Sequence, residues 1–398
     1  MMTSIHISRP TMLLGSFLVA IGFTACIPVP ASVGEGLDEA GDDAETDDAV
    51  ETEDAPAAGG LQPVWSELHE PGTRVGEMIG MPDGGLVTVN WTFSDHPIAV
   101  HMTRYDPDGT IAWTRPVDGK ILALLPLPDG RILAGGETNG NLRASISILD
   151  GDGTSVANYV HPVPGPDPAN SRVADIVVDD DDIFYLVSKA GIEPGVPGDE
   201  LYRIGYDLAE PELLYDGFEM SPNDLGLLPS GEILTVERMP PDYETERMRT
   251  FSPSGELLTV QQLPTDPIAG SRFADDEPLV MLSWIEGAVT LQGIDGTADI
   301  DLTLPSDSFG SGPMLTFDGD VAMAVSGDGA ESIDWFQYSA AGDLIRSGEF
   351  EPFQGDQHSP SDIVIAADGS LYIGGTEADS TMDVPYNVRG FVLKLPPA

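Results

Sequence analysis

The sequence predicts an all-β protein, a seven-bladed β-propeller closed by an N-terminal strand. The first observation is a turn that recurs about every 47 residues and is followed each time by a short apolar strand. The second is a further Gly-containing turn in most units, which adds two more strands. Units of four short strands with almost no helical periodicity are typical of a propeller, and a pair of β-sandwiches is the alternative. The landmark turns are Asp83-Gly84, Asp129-Gly130, Asp181-Asp182, Ser230-Gly231, Asp276-Glu277, Asp318-Gly319 and Asp368-Gly369.

The two ends of the repeat region complement each other, which is the third observation. The last unit contains only three strand patterns, Asp362–Ala366, Ser370–Gly374 and Arg389–Leu395. An unpaired strand pattern, Pro63–His69, precedes the first unit. We therefore expect the two ends to complete one sheet, which removes the free edge that an open sheet would expose.

Residues 1–25 are predicted to be a lipoprotein signal peptide. Arg9 precedes an apolar run, Met12–Phe23, that is too short to span a bilayer as a permanent helix. The junction Phe23-Thr24-Ala25-Cys26 resembles the lipobox of bacterial lipoproteins, in which the cysteine is acylated and becomes the new N-terminus. Cys26 is the only cysteine, so an internal disulfide is excluded. The alternative is ordinary signal cleavage, in which Cys26 has no special role.

Residues 26–60 are predicted to form a disordered acidic tether, followed by the propeller domain at residues 61–398. The segment Ala31–Gly60 is rich in Asp and Glu and has no Lys, Arg or aromatic residue, so it has little apolar surface to bury. An acidic tail that binds cations or a basic partner is the alternative. The residue after the cysteine is Ile27, whereas Asp there often signals inner-membrane retention in lipoproteins of this kind. The resemblance therefore implies an outer-membrane location.

The charge of the chain excludes some partners. The sequence has 17 Lys and Arg against 67 Asp and Glu, a formal net charge of −50. Nucleic-acid binding needs a basic face, so we expect no nucleic-acid partner. Docking on anionic lipid by charge is disfavoured for the same reason, so we expect membrane contact through the lipid anchor only. We expect the protein to be a monomer.

The two ends of the repeat region carry a resemblance to a known family. The segments DIVIAADGSLYIGGT, from Asp362, and GFVLKLPPA, from Gly390, resemble the repeat of bacterial lipid-anchored β-propeller lipoproteins. The segment MTRYDPDGTIAWTR, Met102–Arg115, resembles the joint between one such blade's third strand and the following turn. Through Trp113 it is also similar, more weakly, to the quinoprotein-like propellers. The resemblance implies a propeller fold and an exported bacterial setting, without a shared reaction.

Four acidic residues form the candidate site that the repeat alignment indicates. They lie six residues before a landmark turn, on the strand that lines the channel of a propeller, and would form part of an acidic ring. Clustered carboxylates are ligands that Ca²⁺ takes, so the ring is a candidate metal site. The alternative is that these carboxylates accept backbone N–H bonds or face channel water; the family resemblance favours it, because Asp belongs to the repeat pattern here. The residues at this position are Glu77, Ala123, Asp175, Asp224, Gly270, Gly312 and Asp362, of which the acidic four are the candidates.

The sequence contains no recognisable catalytic motif. There is no G-x-S-x-G elbow, H-E-x-x-H, P-loop or dinucleotide fingerprint, and the histidines lack the spacing of a zinc site. Long Pro-rich insertions, such as Gly191–Glu200, are better candidates for contacts, because loops on a rigid scaffold often carry binding. The tryptophans, Trp65, Trp91, Trp113, Trp284 and Trp335, are expected to pack between sheets.

These observations favour a non-enzymatic outer-membrane lipoprotein whose propeller is a binding or scaffolding platform. The expected partner is a protein or a glycan held by the propeller loops, and no cofactor is expected. The alternative is a metal-dependent hydrolase or lyase with Ca²⁺ at the channel mouth, which would use Asp224 and Asp362 among its ligands.

Overall fold

The structure, a computed structural model, describes residues 63–92, 99–139, 142–162, 170–190, 199–218, 221–228, 230–238, 246–262, 279–285, 288–293, 300–303, 314–318, 320–326, 332–339, 341–350, 357–378 and 388–398. The predicted signal peptide, Cys26 and the predicted tether lie outside these ranges. All regular elements within them are β-strands. No helix in these ranges is long and apolar enough to span a bilayer.

The described residues form seven antiparallel sheets, which are the blades of a propeller. Blade 1 contains β2 (Thr73–Gly80), β3 (Leu86–Thr92), β4 (Ala99–Tyr105) and β5 (Ile111–Val117), and blade 2 contains β6 (Lys120–Pro126), β7 (Ile132–Glu137), β8 (Ala144–Leu149) and β9 (Ser155–Val160). Blade 3 contains β10 (Asn170–Val178), β11 (Asp182–Ala190), β12 (Glu200–Gly205) and β13 (Glu212–Tyr215), and blade 4 contains β14 (Ser221–Leu227), β15 (Ile233–Arg238), β16 (Glu246–Phe251) and β17 (Leu257–Gln262).

The remaining blades follow the same plan. Three strands of blade 5 are described, β18 (Leu279–Ile285), β19 (Ala288–Gly293) and β20 (Ile300–Thr303). Blade 6 contains β21 (Met314–Asp318), β22 (Asp320–Ser326), β23 (Ile333–Tyr338) and β24 (Leu344–Phe350). Blade 7 contains β25 (Gln357–Ile365), β26 (Leu371–Ala378), β27 (Arg389–Leu395) and, as its outer strand, β1 (Trp65–Leu68).

The predicted closure by the N-terminal strand is confirmed. β1 pairs antiparallel with β27, in a register that runs from Trp65 opposite Lys394 to Leu68 opposite Phe391. Blade 7 is therefore built from both ends of the propeller domain. Because this pairing fills the open edge of the last sheet, it joins the ring without a separate capping unit.

The hairpin turns depend on residues in the left-handed backbone conformation. In the first turn of blade 1, Gly84 has φ of 82°, and the Asp83 carboxylate accepts the N–H of Gly85 at 3.1 Å. Asp-Gly suits such turns because Gly reaches positive φ without steric cost and Asp satisfies the exposed amide. Blade 3 replaces the Gly of its second turn by Leu208, which adopts φ of 51° and has a buried side chain. Apolar burial there offsets part of the backbone strain.

Two tryptophans tie outer strands to the following blade. Trp113 on β5 donates its indole N–H to the Gly151 carbonyl at 2.8 Å, and Trp65 on β1 donates to the Pro107 carbonyl at 3.3 Å. Both carbonyls belong to the second hairpin turn of the next blade. In the sequence the resemblance to quinoprotein-like propellers rests on Trp113, and the structure shows that Trp65 takes the same role for blade 7. Packing between sheets is also confirmed for Trp335, which is fully buried.

The contact of Trp65 with the second turn of blade 1 predicts a graded effect of two glycine substitutions. A Cβ added to Gly109, which has φ of 87°, would lie 2.7 Å from the Trp65 ring. Gly130 has a similar φ of 85°, but its Cβ would meet no atom within 4 Å. We expect Gly130→Ala to lower the free energy of unfolding by about 1 kcal/mol through backbone strain. Gly109→Ala adds the clash and should cost about 2–4 kcal/mol.

Urea unfolding of the two variants beside the parent chain measures this difference. The variants share the turn type and the positive φ, so their comparison isolates the tryptophan contact. Equal losses of stability would contradict the role given to Trp65.

Candidate functional site

The predicted channel residues that the structure describes lie at a β-bulge in the first strand of their blade. The pairing register shifts between Val173 and Asp175 in blade 3, and between Pro360 and Asp362 in blade 7. Blades 2 and 4 shift at the equivalent place, and in blade 1 the shift extends from Val75 to Met78 and includes Glu77. A bulge interrupts the ladder of hydrogen bonds, so nearby backbone groups need other partners.

Asp362 supplies such partners to two blades at once. Its Oδ1 accepts the N–H of Ile363 in its own blade at 2.9 Å, and its Oδ2 accepts the N–H of Met78 in blade 1 at 2.8 Å. The Asp362 residue is 3% exposed. Because a buried amide without a partner is costly, this carboxylate stabilises the junction at which the ring closes.

Asp175 makes the same link between blades 3 and 4. Its Oδ1 accepts the N–H of Ile176 at 2.9 Å, and its Oδ2 accepts the N–H of Leu225 at 2.8 Å. Asp224 follows the bulge of blade 4, is 1% exposed, and also accepts the Leu225 N–H, at 3.1 Å. Glu77 is half-buried on β2. The described acidic residues thus occupy one repeated position, as the alignment predicts.

The structure assigns a structural role to two members of the predicted ring. Asp175 and Asp362 use both carboxylate oxygens for backbone N–H groups, which is the second of the two interpretations given by the sequence. Within the described ranges, no three His, Cys, Asp or Glu side chains are grouped closely enough to hold a metal ion. Gly270 and Gly312 lie outside those ranges. A calcium site at the ring stays a prediction.

The two interpretations of the ring predict different responses to Asp362→Asn. The amide keeps one acceptor oxygen and turns an NH₂ group towards the second N–H donor, so we expect a loss of about 1–3 kcal/mol of stability. The matched control is Asp216→Asn, which changes an exposed carboxylate and should cost less than about 0.5 kcal/mol. Unfolding curves are measured in EDTA and in millimolar Ca²⁺. A calcium-dependent stabilisation that Asp362→Asn removes would establish the metal ring; curves independent of calcium support the backbone role.

Two paired positions in each blade face the preceding blade and determine how the interface is filled. One lies on the second strand of the blade, and the other is its cross-strand neighbour on the third strand. The pair is smallest in blade 2, is also small and polar in blade 1, and is larger in the other four described blades. In the six blades whose side chains are described here, the pairs are Thr88–Thr103, Ala134–Ser147, Tyr185–Tyr202, Thr235–Arg249, Met323–Phe336 and Ile373–Leu393.

Aromatic and charged side chains fill the interface between blades 2 and 3. Tyr185 and Tyr202 stack with ring centroids 5.4 Å apart, and His161 packs edge-on against Tyr202 at 4.8 Å. Tyr202 donates a hydrogen bond to Glu200 at 2.6 Å, and Lys189 pairs with the same carboxylate. Burial lowers the pKa of His161, although the nearby Glu200 opposes this shift. The imidazole of His161 therefore lies beside the rings of Tyr159 and Tyr202 in surroundings that favour its uncharged form.

An ion-pair network fills the interface between blades 3 and 4. Glu237 is fully buried and contacts both Arg247, at 2.9 Å, and Arg249. Arg249 lies 5.5 Å from the Tyr215 ring centroid and 5.8 Å from that of Phe218, and it donates to the Tyr215 hydroxyl at 2.7 Å. Burial raises the pKa of Glu237, and the two guanidinium groups lower it. Removal of one of these side chains would leave an unpaired charge in the interface and destabilise it. We therefore assign the network a structural role in the packing of blade 4 against blade 3.

Between blades 1 and 2 the small pair leaves an open cleft of about 480 Å³, named the blade 1–2 cleft. Ser147 occupies the position that Tyr202 fills in blade 3, and its hydroxyl donates to Asn158 Oδ1 at 3.1 Å. Lys120 pairs with Glu137 at 3.3 Å on the lining. The cleft is the candidate binding site of the described molecule. Its lining includes Trp113, Arg115, Asp118, Lys120, Ala134, Gly136, Glu137, Ser145, Ser147, Ser155 and Asn158.

The cleft does not lie in the long insertions to which the sequence assigns binding. Most of Gly191–Glu200, for example, lies outside the described residues. The signal was present as Ala134-Gly135-Gly136 on β7 and the alternation of Ser145 and Ser147 on β8. It becomes visible only when side-chain sizes are compared between blades at matched positions, after the strand register is known.

Comparisons with known proteins identify the fold. Neither the protein-family models nor the curated protein sequences yield a match. Among solved structures, YCF48 bound to D1 peptide has a TM-score of 0.51 at 12% identity, over 87% of this chain and 100% of that chain. The C-terminal WD40 domain of Sif2 (TM-score 0.45, 12% identity, 82% of each chain) and BamB from Moraxella catarrhalis (TM-score 0.44, 10% identity, 84% and 99%) are also similar. At these identities the likeness shows the β-propeller fold alone.

Proposed function

We propose that this chain is a non-enzymatic, lipid-anchored propeller of the bacterial outer membrane that binds a protein or glycan partner. The observation that carries the binding role is the blade 1–2 cleft, an open cleft between two sheets whose lining combines polar and apolar side chains. Cavities of this size on a rigid scaffold are typical ligand sites. The lining residues include no histidine or cysteine, so the cleft itself offers no imidazole base and no thiol nucleophile.

Two further observations support the proposal. The structure of YCF48, which is similar to this chain, holds a D1 peptide, so a propeller of this shape serves as a binding module in that protein. The membrane anchor rests on the sequence alone, through the lipobox-like residues that end at Cys26 and the acidic spacer at residues 26–60.

Site-specific photo-crosslinking in intact cells tests the binding role. A benzophenone amino acid replaces Asn158, which lines the cleft, or Leu213, which is exposed at the same repeat position on blade 3. We expect a discrete adduct from position 158 and none from position 213, because only the first faces an open cleft. Equal adducts at both positions, or none at either, would count against the cleft as a binding surface.

Fractionation of the same cells tests the anchor. The chain and its adduct should be recovered with the outer membrane, and Cys26→Ser should remove both from that fraction, because the variant has no acylated cysteine to hold it there. Recovery of the parent chain in the soluble fraction would contradict the lipoprotein assignment but would not affect the proposed binding role.

A further inference from the structure

We propose that the blade 1–2 cleft binds a neutral saccharide. This inference rests on the proposed binding function and names the class of ligand. It depends on three features of the cleft, which are the chemistry of its lining, the balance of its charges and the origin of its open space.

The lining matches the chemistry of a sugar ring. Ser145, Ser147, Ser155 and Asn158 offer hydroxyl and amide groups, which both donate and accept hydrogen bonds as sugar hydroxyls do. The half-exposed Trp113 adds an aromatic wall, against which the C–H face of a sugar packs. The lining also contains apolar side chains, among them Met102, Val117 and Leu149, which a peptide side chain could contact, so peptides are included among the probes of the test.

The charges favour a neutral ligand. Arg115 and Lys120 are balanced on the lining by Asp118 and Glu137, and Lys120 is already paired with Glu137 at 3.3 Å. The chain as a whole carries −50, so its field opposes the approach of an anionic sugar. Paired charges can still donate to and accept from sugar hydroxyls, which gives strong hydrogen bonds without a charged partner.

The open space is built into the backbone of blade 2. A Cβ at Gly136 would lie 1.8 Å from the Lys120 carbonyl, so the close approach of β6 and β7 excludes any side chain there. Nearby, Ser147 and Asn158 hold each other by a hydrogen bond, so their polar groups are positioned before a ligand arrives. The cleft thus combines an enforced gap with ordered polar groups, which reduces the entropic cost of binding.

The test compares saccharide binding by the full chain and by two tyrosine variants. Ser147→Tyr introduces the residue that blade 3 carries at this position, and so should fill the cleft with a side chain that the repeat accepts. Leu213→Tyr adds the same side chain at an exposed position of blade 3 and is the matched control. The probes are immobilised neutral mono- to tetrasaccharides, their uronic-acid and sialic-acid counterparts, and a set of extended hexapeptides.

We expect the parent chain and Leu213→Tyr to bind one or more neutral saccharides and Ser147→Tyr to bind them at least about tenfold more weakly. Asn158→Ala, at an exposed position, should weaken binding about three- to tenfold by loss of one polar partner. It keeps the test decisive if Ser147→Tyr fails to melt cooperatively.

Four outcomes would overturn the saccharide assignment. They are binding of acidic sugars alone, binding of peptides alone, neutral-sugar binding that neither cleft variant changes, and no saccharide binding. In each case a crosslink from position 158 would still support the binding platform, so failure of this inference is distinguishable from failure of the proposed function.

Discussion

The propeller depends on how the buried amides beside the first-strand bulges are satisfied. Each bulge interrupts the hydrogen-bond ladder close to the axis, where a lost partner is expensive. Between blades 7 and 1, and between blades 3 and 4, one aspartate accepts backbone N–H groups from both blades through its two carboxylate oxygens. Asp362 makes this contact to Met78 at the junction between the last and first blades, so the same side chain that satisfies its own bulge also helps to close the ring.

A second set of contacts closes the ring at its periphery. β1 completes blade 7, and Trp65 then reaches the second turn of blade 1. The aspartates stabilise the ring near its axis, and the contacts of β1 and Trp65 stabilise it at the rim. The side chains in the middle of each interface between blades can therefore differ in type. Stacked tyrosines lie between blades 2 and 3, and a buried ion-pair network lies between blades 3 and 4. Between blades 1 and 2 a buried apolar cluster, which includes Val89 and Ile132, packs beside the open cleft.

The parts of the fold that the sequence predicts are those governed by local rules. Turns such as Asp83-Gly84 are predictable because positive φ and amide capping select Asp and Gly, and the repeat period then gives the blades and their closure. The register also places Asp362 correctly on the first strand. Its bond to Met78 joins residues 284 positions apart, and no local pattern indicates it. The equivalence of Trp65 and Trp113 is not visible in the sequence, because the other three strands of the Trp65 blade lie at the far end of the chain. The blade 1–2 cleft depends on the sizes of Ala134 and Ser147 together, which requires the pairing of two strands.

The open cleft contrasts with the filled interface between blades 2 and 3. Tyr185 and Tyr202 are both buried in blade 3, and aromatic side chains contribute large apolar areas to stability. Blade 2 forgoes that burial with Ala134 and Ser147, although its repeat positions accommodate tyrosine in the next blade. Natural sequences tend to break their own packing rules at functional sites, where stability is exchanged for a ligand surface. On the opposite face of blade 2, β8 and β9 pack against blade 3. This packing fixes the two strands that carry the polar groups of the cleft, so a ligand can bind without rearranging them.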